Sequence, residues 1–350
     1  MSTILSKSPY HINVSETDLI YAEVDIYMYT GTQTTSRFGT PNYTLKSTAI
    51  NGSLSFDIGS LVNDAIQYPS GTNYRTDGAW LDYEIRKYTD DGTGPVLATD
   101  TMVQLYAVDG YSYFSEGANY DANKALCFSS EHVYVPNGEH LKFPICKRVG
   151  LVYKEFRNGN VDDANPDQEI TLTSNLLSGQ QVSYNSTNVN AIDRVTVSKA
   201  DGSIDTINIH RLDECKYEPI KLKFVNRYGA MEDMWFFKTS KLKTKITSKD
   251  YQNNQVLSNG TYNTFEHQFR KFNTQSRETL KLNSGFVLEE MNESFVQLLM
   301  SEKVWIEYNG TTQPVNIKTS DMEHKTSLND KMIQYSMDIE FASNKINTIR

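Results

Sequence analysis

The chain reads as a mainly β protein in three successive units, on three observations. Short segments with period-two apolar alternation recur between clusters of Gly, Asn, Asp and Pro. Segments of helical period are scarce. The composition carries 22 Tyr and 15 Phe in 350 residues, and aromatic and β-branched side chains suit the pleated surface of a sheet. At roughly 100–200 residues per domain the length allows two or three. The expected units are an immunoglobulin- or fibronectin-like β-sandwich over 1–110, an irregular second β domain over 111–215 and an α+β unit with one main helix over 216–350.

In the first unit the clearest strand is 19–29. Ile20, Ala22, Val24, Ile26 and Met28 form an inward face, and Tyr21, Glu23, Asp25, Tyr27 and Tyr29 an outward one, as on a sandwich strand. Further strands are predicted at 43–50, 53–57, 80–88 and 102–108. A short helix is predicted over 58–67, where Ile58, Leu61, Val62 and Ile66 recur at helical spacing.

The second unit is less regular. It opens with an aromatic loop at 111–123, and short strands are predicted at 131–135, 140–145 and 149–153. A polar loop follows at 158–167. A hairpin over 194–198 and 203–209 turns on Asp201-Gly202.

The third unit starts with YEPIKLKFVNRYGAMEDMWFF (217–237). Ile220, Leu222 and Phe224 alternate with Lys221 and Lys223, and Asn226-Arg227-Tyr228-Gly229 supplies turn chemistry. Met234-Trp235-Phe236-Phe237 is apolar on both faces, which predicts a strand covered on both sides. Ile220, Leu222, Phe224, Trp235 and Phe237 are therefore core candidates. A strand is predicted at 242–246 and loops over 252–263. The main helix is predicted over 288–300, from Leu288, Met291, Phe295, Leu298 and Leu299, with Glu289 and Glu290 at its positive end. Asn309-Gly310 predicts a type I′ hairpin between 304–308 and 315–317, and a long last strand alternates through 333–341.

The net charge is −9. Residues 1–215 carry −12 and residues 216–350 carry +3, so the two parts face different surroundings. The acidic part argues against general nucleic-acid affinity. Cys127, Cys146 and Cys215 show no metal-ligand or CxxC spacing and read as buried or half-buried thiols, as expected of a chain made in a reducing cytoplasm. No segment has the length and apolarity of a membrane span, and the N-terminus does not read as a signal peptide. The sequon at Asn185-Ser186-Thr187 reads as surface composition.

No nucleotide-binding loop, nucleophile elbow or HExxH pattern occurs. His11, His132, His140, His210, His267 and His324 are scattered, so no metal, cofactor or catalytic residue is expected. In the acidic loop, Asn158, Asn160, Asp162 and Glu169 fall at the places of a calcium loop, but Asp163 stands where its sharp-turn Gly belongs; a solvated loop is the alternative. Asp82 and Glu84 form an i, i+2 acid pair of a kind common on strands. Lys238, Lys241, Lys243, Lys245 and Lys249 admit three readings: a phosphate-tracking surface, protection of a sheet edge or contact with an acidic neighbouring subunit. Tyr21, Tyr27 and Tyr29, read as exposed, suit an interface or a sugar. The candidate interface residues are thus Tyr228, Lys241, Lys243, Lys245, Tyr21, Tyr27 and Tyr29.

The segments YEPIKLKFVNRYGAMEDMWFFKTSK (217–241), LNSGFVLEEMNESFVQLLMSEKVWIE (282–307) and NDKMIQYSMDIEFA (329–342) resemble virion structural proteins of tailed bacteriophages, especially those of Bacteroidetes-type hosts. SPYHINV, YAEVDIYMY and FDIGSLVNDAI, within 8–66, resemble the sandwich with which such proteins often begin. The resemblance implies a non-enzymatic, multi-copy tail, baseplate or neck component, found in the virion and partnered by further copies of itself and by other virion proteins, with no specific nucleic acid. An adhesin binding a host receptor or surface glycan is the alternative; a polysaccharide hydrolase is a third, without an acid and nucleophile to support it.

Overall fold

The computed structural model describes residues 3–30, 39–66, 78–90, 92–121, 124–146, 151–172, 181–185, 192–324 and 332–346, with backbone alone at 98–100, 146, 172 and 181–185. Strands make up 54% and helices 8% of the described residues, so the protein is mainly β. Gln67, Val149, Ser186, Thr187 and 329–331, parts of expected elements, lie outside the described residues.

Three large apolar clusters mark three packing centres. In the first unit, a five-stranded sheet runs in the order Thr3–Leu5, Pro95–Val108, Ala79–Asp90, Leu19–Tyr29, Tyr43–Thr48. Its Val24, Ile26, Leu81 and Ala107 pack against Ile12, Val14 and Phe56 of the ribbon formed by His11–Ser15 and Ser53–Asp57. Ile58 and Val62 fill the same core, but the helix there is one turn, Gly59–Val62, continued as a 3-10 turn. Gly59 explains the tight fit, since a Cβ on it would stand 2.2 Å from the Ser8 carbonyl oxygen.

The second unit is a five-stranded sheet, Gln168–Leu172, Leu151–Arg157, Ile192–Ser198, Ile204–Leu212, His132–Pro136, joined by the pair Gln181–Asn185 and Lys142–Cys146. Gly202 has the positive φ its hairpin needs. Cys127 is buried as expected, but Cys215 is exposed because it lies in the connection after the last strand of this sheet.

The third unit holds a seven-stranded antiparallel sheet: Met231–Phe236, Ile220–Val225, Val304–Tyr308, Thr311–Ile317, Ser336–Phe341, Phe269–Asn283, Lys241–Gln252. Asn309 and Gly310 both have positive φ, as a type I′ turn requires. The helix comprises a 3-10 turn, Glu289–Met291, followed by Asn292–Met300. It seats Phe295 and Leu298 on the sheet residues Leu222, Phe224 and Phe236. The last strand is broken: Met332–Ile333 pairs with Val287–Leu288, and only Ser336–Phe341 joins the main sheet. Ser284 bridges the break, its N–H donating to the Tyr335 carbonyl and its hydroxyl accepting the Tyr335 N–H.

Every residue of Met231–Phe236 is buried, because the strands His132–Pro136 and Lys142–Cys146 of the second unit pack against it. This covering also withdraws Lys223 from solvent; Lys221 and Lys223 both pair with Glu307. The expected outer face of this strand is therefore internal.

Candidate subunit-interaction site

Tyr228 and the lysines from Lys241 to Lys249 lie at two separate places, the Asn226–Gly229 turn and the edge of the seven-stranded sheet.

The turn joins all three units. Asn226 is buried, and its side-chain carbonyl accepts the N–H groups of Tyr228 and Ala230. Its amide donates to the Cys127 carbonyl at 2.6 Å and to Glu232 at 2.9 Å. Arg227 lies on the ring of Tyr113, 4.4 Å from its centre, and pairs with Glu116. Its carbonyl accepts the Tyr111 N–H, and its own N–H donates to Gln297 of the helix. Gly110 and Gly229 allow this approach: a Cβ at Gly110 would meet the Arg227 carbonyl oxygen at 2.5 Å, and one at Gly229 the Asp109 backbone at 3.1 Å.

Glu232 lies beneath the turn, accepting from the Ser129 N–H and the Asn226 amide, with the Ser129 hydroxyl at 2.7 Å. The Ser129 hydroxyl is also 2.6 Å from that of Ser294. Burial pushes the Glu232 carboxyl up to about 7. A protonated carboxyl donating to Ser129, which then donates to Ser294, satisfies both short contacts with one proton each.

Tyr228 is half-buried against Cys127 and Ala230 inside this junction, and burial pushes its phenol up. Gly229→Ala is expected to lower stability by about 1–2 kcal/mol, from left-handed backbone strain. Gly310→Ala has a similar φ in open space; comparing the two unfolding midpoints isolates the crowding at the junction, which predicts the larger loss for Gly229.

The first-unit tyrosines form no open platform. Tyr27, expected to be exposed, is buried, because the outward face is filled by cross-strand neighbours. Tyr21 stacks on Tyr88 at 4.4 Å with Lys46 over it, and Tyr29 stacks on Trp80 while its hydroxyl accepts from Gln104. Asp82 and Glu84 are buried on the same face, beside Asp25, which pairs with Arg86 at 2.6 Å.

In the acidic loop, Asp162 accepts from the Asn165 amide and the Ala164 N–H, and Asp167 from the Asn160 amide and the Arg157 N–H; these bonds lower both carboxyls. Glu169 lies on the following strand and pairs with Lys154. Among the described residues no group of three His, Cys, Asp or Glu side chains is placed to hold a metal ion. His132 and His210 do meet, 2.9 Å apart, because their strands pair in parallel. Burial and the neighbouring ring lower His210.

The lysines at the sheet edge belong to a different structure. Lys241–Gln252 pairs along its whole length with Phe269–Asn283. Only Thr279–Asn283 of the longer strand also pairs with Ser336–Phe341. Ser276 is still held by the body, its carbonyl accepting the Lys345 N–H; beyond it, from Thr247/Gln275 outward, the two strands run on as a free ribbon about 20 Å long. Beyond Gln252 and Phe269, a loop bridged at Val256 and Tyr262 forms its tip. Nearly every residue of Lys241–Gln252 is exposed. This arm over 241–283 carries nine of the nineteen exposed large apolar side chains among the described residues, including Ile246, Tyr262, Phe265 and Phe269. The second strand of the arm was not legible in the sequence; only its base has a buried face, so the rest shows no apolar period.

No known family matches the chain, and no curated protein is significantly similar to it. No helix among the described residues is long and apolar enough to cross a membrane.

Proposed function

We propose that the protein is a non-enzymatic, multi-copy structural component of a phage tail, baseplate or neck, acting through contacts between subunits. The arm is the observation that carries this reading. A ribbon about 20 Å long, prolonged by its tip and with solvent on both faces, buries little of its own apolar surface, and exposed apolar patches of this kind mark contact sites. The likeness of 217–241, 282–307 and 329–342 to virion structural proteins supports the setting. The junction supports it too, since a body locked by internal hydrogen bonds is a rigid base for a projecting arm. The tyrosine faces support a glycan-binding reading less, being stacked and half-buried.

Light scattering on the purified chain is expected to give a multiple of the monomer mass. Mass spectrometry of purified particles of the phage that encodes it is expected to find it in several copies per particle. A monomer at all concentrations, together with absence from particles, would reject the proposal.

A further inference from the structure

We infer that one face of the arm docks head-to-tail on the acidic body of a second copy of this chain. This deepens the assembly reading and rests on it.

The register resolves the arm into two faces. Residues opposite one another on antiparallel strands point the same way. Lys241 faces Lys281, Lys243 faces Thr279, and Lys245 faces Arg277; past the bulge at Asn273, Lys249 faces Phe272 and Tyr251 faces Arg270. This face therefore carries seven Lys and Arg and no carboxylate of the arm itself. The Tyr251 and Phe272 rings meet edge to face at 5.7 Å near its outer end. Asp250 and Glu278 fall on the opposite face. At the base, Arg277 takes Glu340 of the neighbouring strand. Among the described residues Lys241, Lys243, Lys245 and Lys249 have no ion-pair partner. Successive cations along one strand stand about 7 Å apart and repel one another until a counter-charge covers them.

The source of that counter-charge is in the chain itself. Residues 241–283 hold eight Lys and Arg against three Asp and Glu, a net charge of +5. The other 307 residues carry −14, of which −12 lies in 1–215. The positive balance of the third unit thus belongs wholly to its arm. The body's own carboxylates meet this face at its base, where Arg277 takes Glu340 and Lys281 stands opposite Asp338; farther out Lys245 and Lys249 stand clear of the body, so the acidic surface that meets them is another copy's. A symmetric arm-to-arm contact would set two such basic faces against each other. The favourable contact is heterologous, one patch on a different patch, the kind that builds rings or stacks. The apolar tip favours a protein partner over a nucleic acid, whose phosphates would engage the cations and leave Phe265 and Tyr262 in water.

The experiment measures self-association of the full chain by sedimentation velocity across salt concentration, for the wild type and for Lys243→Glu/Lys245→Glu/Lys249→Glu. These side chains are exposed, so an unchanged unfolding midpoint is the control for folding. The wild-type association constant is expected to fall at least tenfold between roughly 0.1 and 1 M NaCl, as the screening length contracts. The triple variant is expected to associate about a hundredfold more weakly. Mixed with wild type, it still offers its acidic body and should shorten the assemblies. A triple variant that associates as the wild type does would overturn the inference while leaving the assembly reading intact. A wild type monomeric throughout would reject both. Duplex or single-stranded DNA bound by the wild type and lost in the variant, with self-association equal in the two, would assign the face to nucleic acid and overturn the inference.

Discussion

Trp235→Ala is expected to lower the stability of the protein by about 3–5 kcal/mol, the cost of removing a large buried side chain from a packed core. Trp235 is 8% exposed and belongs to the cluster of Leu222, Phe224, Phe236 and Phe295. The Lys221 ammonium lies 5.2 Å from the centre of its ring, so truncation also removes a cation–π contact. Relaxation is limited because the strand is packed by the second unit. Urea unfolding checks the size of the effect. If Trp235→Ala instead abolished assembly with an unchanged unfolding midpoint, the residue would face a partner and not the core.

Glu232 should make the protein lose stability as the medium is brought from acid to mildly alkaline conditions. Its carboxyl is held near 7 in the fold, against 4.5 for the ordinary group. Between those values the folded state keeps a proton that the unfolded state has released. The contribution is therefore complete below the unfolded value and lost as pH rises through the folded one, about 3 kcal/mol in all. Glu232→Gln places an amide where the protonated carboxyl stood and can still donate to Ser129. The variant should match the wild type near pH 5, exceed it at pH 8 and show a flatter profile between. His210 acts in the opposite sense: with its proton affinity lowered, it costs stability as pH falls below the ordinary histidine value. Thermal unfolding of wild type and variant across pH separates the two. An unchanged slope in Glu232→Gln would show that this carboxyl is already ionised in the fold.

The parts legible in the sequence are those where burial writes a period into the chain. The strand Leu19–Tyr29, the Asn309-Gly310 hairpin and the doubly covered Met231–Phe236 all follow from apolar spacing and turn residues. The five core candidates of 217–237 sit together in one cluster. What was hidden lacked such a period or depended on distant partners. Phe269–Asn283 is exposed over its outer half, so FRKFNTQSR shows no alternation. Tyr27 carries a strand's outward parity, yet its neighbours across the sheet bury it. The meeting of Asn226, Cys127, Glu232 and Ser294 joins residues far apart in the chain, and only the turn at Asn226–Gly229 hinted at it. The lysines did signal a surface of consequence, but their neighbours on that face, Arg270, Arg277 and Lys281, come from the unforeseen strand.

The proposed working surface of the chain is its arm, through which copies meet. The most direct test replaces residues 247–275 with Asn-Gly, a turn that closes the hairpin just beyond Ile246 and Ser276. Light scattering then compares its mass with that of the wild type. The removed residues are exposed almost throughout, so the unfolding midpoint should hold. A monomer from the shortened chain, with an oligomer from the wild type at the same concentration, is the predicted result; the same oligomer from both would contradict the claim.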